Sequence, residues 1–359
     1  MCSLPGRLDG RVAVVTGANT GMGLSLTAEL AMRGARVIMA CRKMENFQTA
    51  LDYLLSEYGE NSKHLGSVPD AQLTPIRSEQ LLFEQLRLCT FEDVKRFATS
   101  LATKESTVHF LVNNAGVLLT STSADDELTQ DGFNRHFQIN YLSPVLLTLY
   151  LLPLFSRDNM SRIVFTSSVL RHLATIKQED VFHTKTGLLG GRTYSHSKLL
   201  ITAFANRLAK HLNTQNIRVV SVDPGIVRTN LVREPGFIWN VSVHFLHGGQ
   251  GGKWSEFAFE GRTQSQNSNG NQNFDEFVWN YLFWRLRKEV HLGVQCALHT
   301  VLDPDLISGA EYCNCVVVEC SQQMKDEKIL DAVWNQTLRI LMPFFIPAIA
   351  AKVEKLFSY

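Results

Sequence analysis

Between residues 11 and 225 the chain alternates short runs rich in β-branched residues with longer stretches of helical period. The runs are RVAVVT at 11–16, ARVIMA at 35–40, VHFLV at 108–112, RIVFT at 162–166 and IRVVSV at 217–222. Each is too short and too apolar on both sides for a half-exposed strand, and each is followed by enough residues for a crossover helix. Strands in that setting are parallel and buried on both faces. A weaker run at 81–86 fits between the second and third, and 312–319 offers a last one. The expectation is an α/β fold: a single doubly wound domain around a central, mostly parallel sheet of about seven strands. It spans 1–337, with polar insertions near 59–80 and 240–288, and 338–359 form an apolar C-terminal tail.

Composition narrows the function classes. With 35 Lys plus Arg against 34 Asp plus Glu, no overall positive field exists to collect phosphates, so nucleic acid is not an expected partner. Seven cysteines without a Cys-x-x-Cys pair suggest neither a zinc site nor a disulfide framework, and reduced thiols are expected. No signal-peptide run precedes the first strand, and no apolar run reaches the length of a membrane span. The nearest, 338–351, carries Pro343 and Pro347. The expected location is cytoplasmic, with peripheral contact to a membrane or lipid surface left open. The insertion at 59–80 reads as a surface loop, and the Gly-, Gln-, Asn- and Ser-rich stretch at 248–275 as a mobile one. No internal repeat is found.

Directly after the first strand comes TGANTGMG at 16–23, then LSLTAELA at helical spacing. A glycine-rich turn between strand and helix lets the backbone approach a pyrophosphate, and the helix N-terminus presents free N–H groups with partial positive charge. Gly17, Asn19, Thr20, Gly21, Met22 and Gly23 are therefore candidate dinucleotide ligands. A carboxylate at the end of the second strand would bind the ribose hydroxyls of NAD. Here the chain has Arg42 and Lys43 instead, which suits the 2′-phosphate of NADP, Arg42 above all because its fork matches phosphate geometry.

Downstream, Tyr194 and Lys198 stand four residues apart at the start of a helical stretch, hence on one face, where an ammonium can favour a phenolate. That is one way to bring a tyrosine into range for acid–base work at neutral pH. His196 lies between them but points elsewhere on a helix and reads as structural.

The turn at 16–23, NNAG at 113–116, Ser167 and Ser168, Tyr194 with Lys198, and Pro224-Gly225 together resemble the short-chain dehydrogenase/reductase family, in order and at matching spacing. Within it the chain most resembles the retinol dehydrogenase type. The features are Asn19-Thr20, Ala40-Cys41-Arg42, the 26-residue separation of Ser168 from Tyr194, and Gly309 to Tyr312 with Cys315 and Trp334. The resemblance runs from about Gly10 to Leu338 and implies a Rossmann-type fold using NADP(H). It implies Tyr194 as general acid, Ser168 as holder of the carbonyl oxygen, Lys198 on the nicotinamide ribose and lowering the Tyr194 pKa, and Asn140 in a proton relay. Asn113, Ala115 and Gly116 would pack beside the cofactor, and Pro224, Gly225, Val227 and Thr229 would seat the nicotinamide.

The implied substrates are hydrophobic aldehydes, ketones or alcohols of retinoid, lipid-aldehyde or steroid type, and relatives often pair as homodimers through the helices near 141–152 and 198–212. One departure stands out: Arg87 occupies the place where relatives put an aspartate at the adenine pocket. It could stack on the adenine, weaken the site, or act with a rearranged 59–80 loop. The aromatic stretches at 236–239 and 277–287 suit a greasy pocket mouth, a lid helix or a lipid interface, and the tail could dock on the protein or on a membrane. The Asn240 sequon carries little weight without a secretory signal. A second reading is a low-activity dinucleotide-binding or lipid-surface protein that keeps the fold.

Overall fold

The computed structural model describes residues 6–62, 73–119, 128–156, 161–182, 191–212, 216–228, 231 and 288–357. Strand β1 (Val12–Thr16) leads into α1 (Gly21–Met32), β2 (Arg36–Cys41), α2 (Met44–Tyr58), β3 (Leu81–Gln85), α3 (Phe91–Lys104) and β4 (Phe110–Asn113). Then follow α4 (Arg135–Phe137), a π turn (Gln138–Leu142), α5 (Ser143–Leu151), β5 (Ser161–Thr166), a 3-10 turn (Val169–Leu173), α6 (Gly191–His211) and β6 (Ile217–Asp223). The C-terminal part holds α7 (Val290–Gly293), α8 (Gln295–Leu302), β7 (Glu311–Cys313), β8 (Val316–Val317), α9 (Gln322–Lys325), α10 (Glu327–Leu341) and α11 (Pro347–Phe357).

The strand order is β3-β2-β1-β4-β5-β6-β7-β8, parallel throughout except for β8. Every residue of β1 and β4 is buried, as strands covered on both faces must be. One face is closed by α3, α5, α6 and α10, the other by α1, α2 and α8. Helix ends are set locally. The Thr90 hydroxyl accepts from the Asp93 amide at 3.3 Å to start α3, whose Phe91, Val94, Phe97, Ala98 and Leu101 face inward. Chain order reverses between β1 and β4, so the crevice of a doubly wound sheet opens at their carboxyl ends.

The last strand departs from expectation. Asn314 and Cys315 both take left-handed backbone (φ 52° and 64°), making a two-residue hairpin turn, so the run at 312–319 becomes β7 and an antiparallel β8, and the sheet has eight strands. The apolar tail meets the protein itself. Leu341, Phe345 and Val353 are buried, and the Phe344 ring lies 4.4 Å from that of Phe91. The stretch Arg135–Leu154 is long and apolar enough to cross a membrane, yet 83% of it is buried inside the fold, as a core helix is.

Part of the 59–80 insertion is anchored: Ile76 is buried and Gln80 donates to the Ala31 carbonyl at 3.0 Å. Residues 63–72 of it, the polar stretch at 248–275, both aromatic stretches and Asn240 lie outside the described residues. Cys41, Cys89, Cys296, Cys313 and Cys320 are free thiols, whereas Cys315 is disulfide-bonded, which the expectation of seven reduced thiols did not allow for.

Candidate active site

The turn after β1 is built on backbone that only glycine adopts freely. Gly17 and Gly21 have φ of +67° and +53°. Gly23 is needed for closeness: a Cβ there would lie 2.2 Å from the Gly17 carbonyl oxygen. The first turn of α1 has no acidic residue, and Thr20 makes no side-chain cap, so the helix N–H groups face outward uncapped by the chain. Asn19, Thr20, Gly21 and Met22 all keep some exposure around this cradle, whose shape and donor set fit a pyrophosphate.

The second residue of the NNAG motif holds the cradle. Asn114 donates its side-chain amide to the Thr16 carbonyl at 2.9 Å, while the Thr16 hydroxyl accepts from the amides of Asn114 (3.0 Å) and Ala115 (2.9 Å). The ends of β1 and β4 are thereby laced together. Asn113 does something else: it is buried and donates to the Thr148 hydroxyl at 3.1 Å, under α5 and away from the turn.

Arg42 and Lys43 follow β2 and are exposed, and neither makes an ion pair with a described residue. The Gly17 amide donates to the Ala40 carbonyl at 2.9 Å, which places this basic pair beside the turn. Arg87 is exposed just past β3, where the Leu86 amide donates to the Cys41 carbonyl at 2.9 Å. Three cations thus share one corner of the sheet.

Tyr194 and Lys198 lie one turn apart on α6, with the ammonium 5.8 Å from the centre of the phenol ring. Tyr194 is only 3% exposed, and Ser168, whose hydroxyl accepts from the Leu170 amide at 3.3 Å, lies close enough to act on its phenol. Burial pushes the phenol up to about 12, the Ser168 hydrogen bond opposes this, and the Asp223 charge adds to it. The lowering expected from Lys198 does not prevail in this setting. Lys198 is itself brought down to about 8 by burial, against the pull of Asp223, and it donates to the Thr166 carbonyl at 2.8 Å. Ser167, by contrast, bonds the Thr202 hydroxyl at 2.8 Å within the core, so only the second serine reaches the site.

Asn140 sits in the π turn, whose widened backbone is a recurrent device at functional sites. Its amide accepts from the Val117 N–H (2.8 Å) and donates to the Val117 carbonyl (2.9 Å). A Cβ on Gly116 would come within 3.2 Å of the Asn140 oxygen and 3.4 Å of the Lys198 nitrogen, so glycine keeps this floor open. Pro224 and Gly225 (φ +75°) follow β6; Val227 packs its methyls on Gly293, and Thr229 lies outside the described residues. His196 is buried with its Nε2 2.6 Å from the Val181 carbonyl. Nothing in the sequence marks His136, a lone histidine in the short helix Arg135–Phe137. It is fully buried, its Nε2 accepts from the Leu119 amide at 2.9 Å, and its ring meets Tyr194 edge-on at 6.2 Å.

Residues 11–236 match the family model described as short chain dehydrogenase. The chain belongs to that family. This short-chain dehydrogenase, an oxidoreductase by family, is 30% identical over 347 residues to human retinol dehydrogenase 11, covering 95% of its own length and 89% of the relative's. It is also 30% identical to bovine retinol dehydrogenase 12 over 344 residues, at the same two coverages. Among solved structures, an uncharacterised protein from Mycobacterium paratuberculosis shares the fold at a TM-score of 0.61, with 22% identity and coverages of 93% and 94%. A short chain dehydrogenase from Burkholderia cenocepacia in complex with NADP does so at 0.55, with 19% identity and coverages of 86% and 97%.

Proposed function

We propose that this short-chain dehydrogenase is an NADP(H)-dependent oxidoreductase that transfers a hydride between nicotinamide and a hydrophobic aldehyde, ketone or alcohol. The observation that carries the reading is the grouping of Ser168, Tyr194 and Lys198, with the ammonium 5.8 Å from the phenol ring and Ser168 acting on the Tyr194 hydroxyl, at the carboxyl ends of the strands next to the glycine turn. Bound nicotinamide supplies the hydride. In the direction of reduction the carbonyl oxygen accepts hydrogen bonds from Ser168 and Tyr194 and takes the phenolic proton. A phenol pushed up to about 12 holds that proton at neutral pH, as an acid must. Lys198, brought down to about 8, is still mostly charged at pH 7, and its charge favours the phenolate left behind. Asn140, pinned by Val117, offers a fixed amide next to Gly116 for a water-borne return of the proton. The turn at Gly17 to Gly23 would hold the pyrophosphate and Arg42 with Lys43 the 2′-phosphate.

Substrate class rests on the relatives, whose names are those of retinol dehydrogenases, enzymes of an apolar alcohol. The apolar tail spends Leu341, Phe345 and Val353 on its own core, which favours an enzyme over a lipid-surface protein. Turnover of apolar aldehydes by NADPH tests the reading. Tyr194→Phe should lower kcat by at least about 100-fold and leave NADPH affinity within about two-fold. Unchanged turnover in that variant would overturn the assignment.

A further inference from the structure

Arg171, 5% exposed in the 3-10 turn after Ser168, makes contacts on three segments of the site's wall. Its Nη1 donates to the Ser168 carbonyl at 3.0 Å and to Asp223 Oδ2 at 3.0 Å, and its Nη2 lies 2.7 Å from Glu311 Oε1. The other Asp223 oxygen, Oδ1, accepts from the Gly225 amide at 2.9 Å. One guanidinium therefore ties together the turn carrying Ser168, the end of β6 with its Gly225 loop, and β7.

Stability alone is a poor reason for such a cluster. Buried ion pairs lose in desolvation much of what they gain in attraction, and apolar side chains of like volume do as well or better. What a planar fork does offer is fixed geometry at two acceptors at once. Two carboxylates around one cation leave a net negative charge, and burial pushes Glu311 up to about 7 against the pull of Arg171. Other groups facing the cluster are His172 from the same turn, Tyr194 and Lys198 from α6, Cys313 from β7, Cys296 from α8, and Lys288 beside Gly225.

We infer that Arg171 is a positioning residue: it fixes the separation between Ser168, which holds the reacting oxygen, and the Gly225 loop, which seats the nicotinamide. This rests on the oxidoreductase reading. Hydride transfer is steep in distance, and a misplacement of about 1 Å costs on the order of 100-fold in rate. Arg42, which would hold the 2′-phosphate at the adenine end, follows β2, across β1 and β4 from this link, and does not depend on it.

The test compares wild type, Arg171→Met and Arg171→Lys in titrations with NADPH and with 2′,5′-ADP, which carries the adenine end alone, and in NADPH-dependent turnover of an apolar aldehyde. Arg171→Met should bind 2′,5′-ADP within about two-fold of wild type, bind NADPH about ten-fold more weakly and lose about 100-fold in kcat. Arg171→Lys should fall between the two, because a point charge keeps one arm of the fork and not both. Equal loss of both nucleotides, or NADPH affinity and kcat left as in wild type, overturns the inference. Should Arg171→Met not fold, Arg171→Lys carries the same comparison: kcat and NADPH affinity reduced with 2′,5′-ADP binding held supports the inference, and no split overturns it. A wild-type chain that binds neither nucleotide instead sinks the oxidoreductase reading beneath it.

Discussion

Tyr150 on α5 donates its phenolic proton to the Phe344 carbonyl at 2.9 Å and accepts from the Ile346 amide at 3.1 Å. One hydroxyl thereby serves both backbone groups where the C-terminal tail turns between α10 and α11. Tyr150→Phe leaves those two groups without that partner and should destabilise the fold by about 1–3 kcal/mol, read as a lower urea midpoint with an unchanged m-value. A midpoint equal to wild type would show that the tail is held by its apolar contacts alone.

Gly23 has no room for a methyl group, and what it would strike is backbone. Gly23→Ala must open the turn between β1 and α1, so NADPH affinity should drop by at least about ten-fold while the sheet stays folded. Isothermal titration with circular dichroism as the folding check measures both. An alanine variant that binds as well as wild type would mean that the turn is not the pyrophosphate cradle.

Cofactor choice turns on Arg42 and its neighbour. The wild type should prefer NADPH to NADH by about ten-fold or more, and Arg42→Asp should move the preference toward NADH by a similar factor, since a carboxylate accepts from ribose hydroxyls and repels the 2′-phosphate. Arg87→Ala in the same assay asks whether the third cation of this corner contributes. A preference that ignores the Arg42 substitution would place the 2′-phosphate contact elsewhere.

Burial, and Lys198 after it, bring His136 down from 6.5 to about 4. The unfolded chain takes up that proton near pH 6.5 and the folded chain near 4, so this residue's contribution to stability is present above 6.5 and lost as pH falls through that window. Glu311, raised from 4.5 to about 7, works in the opposite sense, favouring the folded state as pH falls from 7 toward 4.5. The comparison must therefore be between variants. Between pH 7 and 5 the wild type should lose about 2 kcal/mol more than His136→Gln, whose amide oxygen can still accept from Leu119. Parallel pH profiles of the two would refute a neutral buried histidine.

The sheet was legible because strands covered on both faces show as continuous apolar runs, and the turn at 16–23 because left-handed backbone and close approach admit little but glycine. Tyr194 and Lys198 were legible as a pair because α6 converts a separation of four into one face, while Ser168 was reached only through the family resemblance. The hairpin at Asn314 and Cys315 was not, since neither residue announces left-handed backbone as glycine does. Nor were the partners of Asn113 and Asn114: adjacent in the chain, they leave a strand end in opposite directions, one to Thr148 and one to the glycine turn. Whether the phenol of Tyr194 runs high or low depends on burial and on Asp223, a residue distant in sequence. Local order in the chain thus determined the elements and the reacting pair. The desolvation of Tyr194 and Lys198, and the Arg171 link from Ser168 to Asp223 and Glu311, arise only when distant segments share one low-dielectric interior, so the tertiary structure alone decided them.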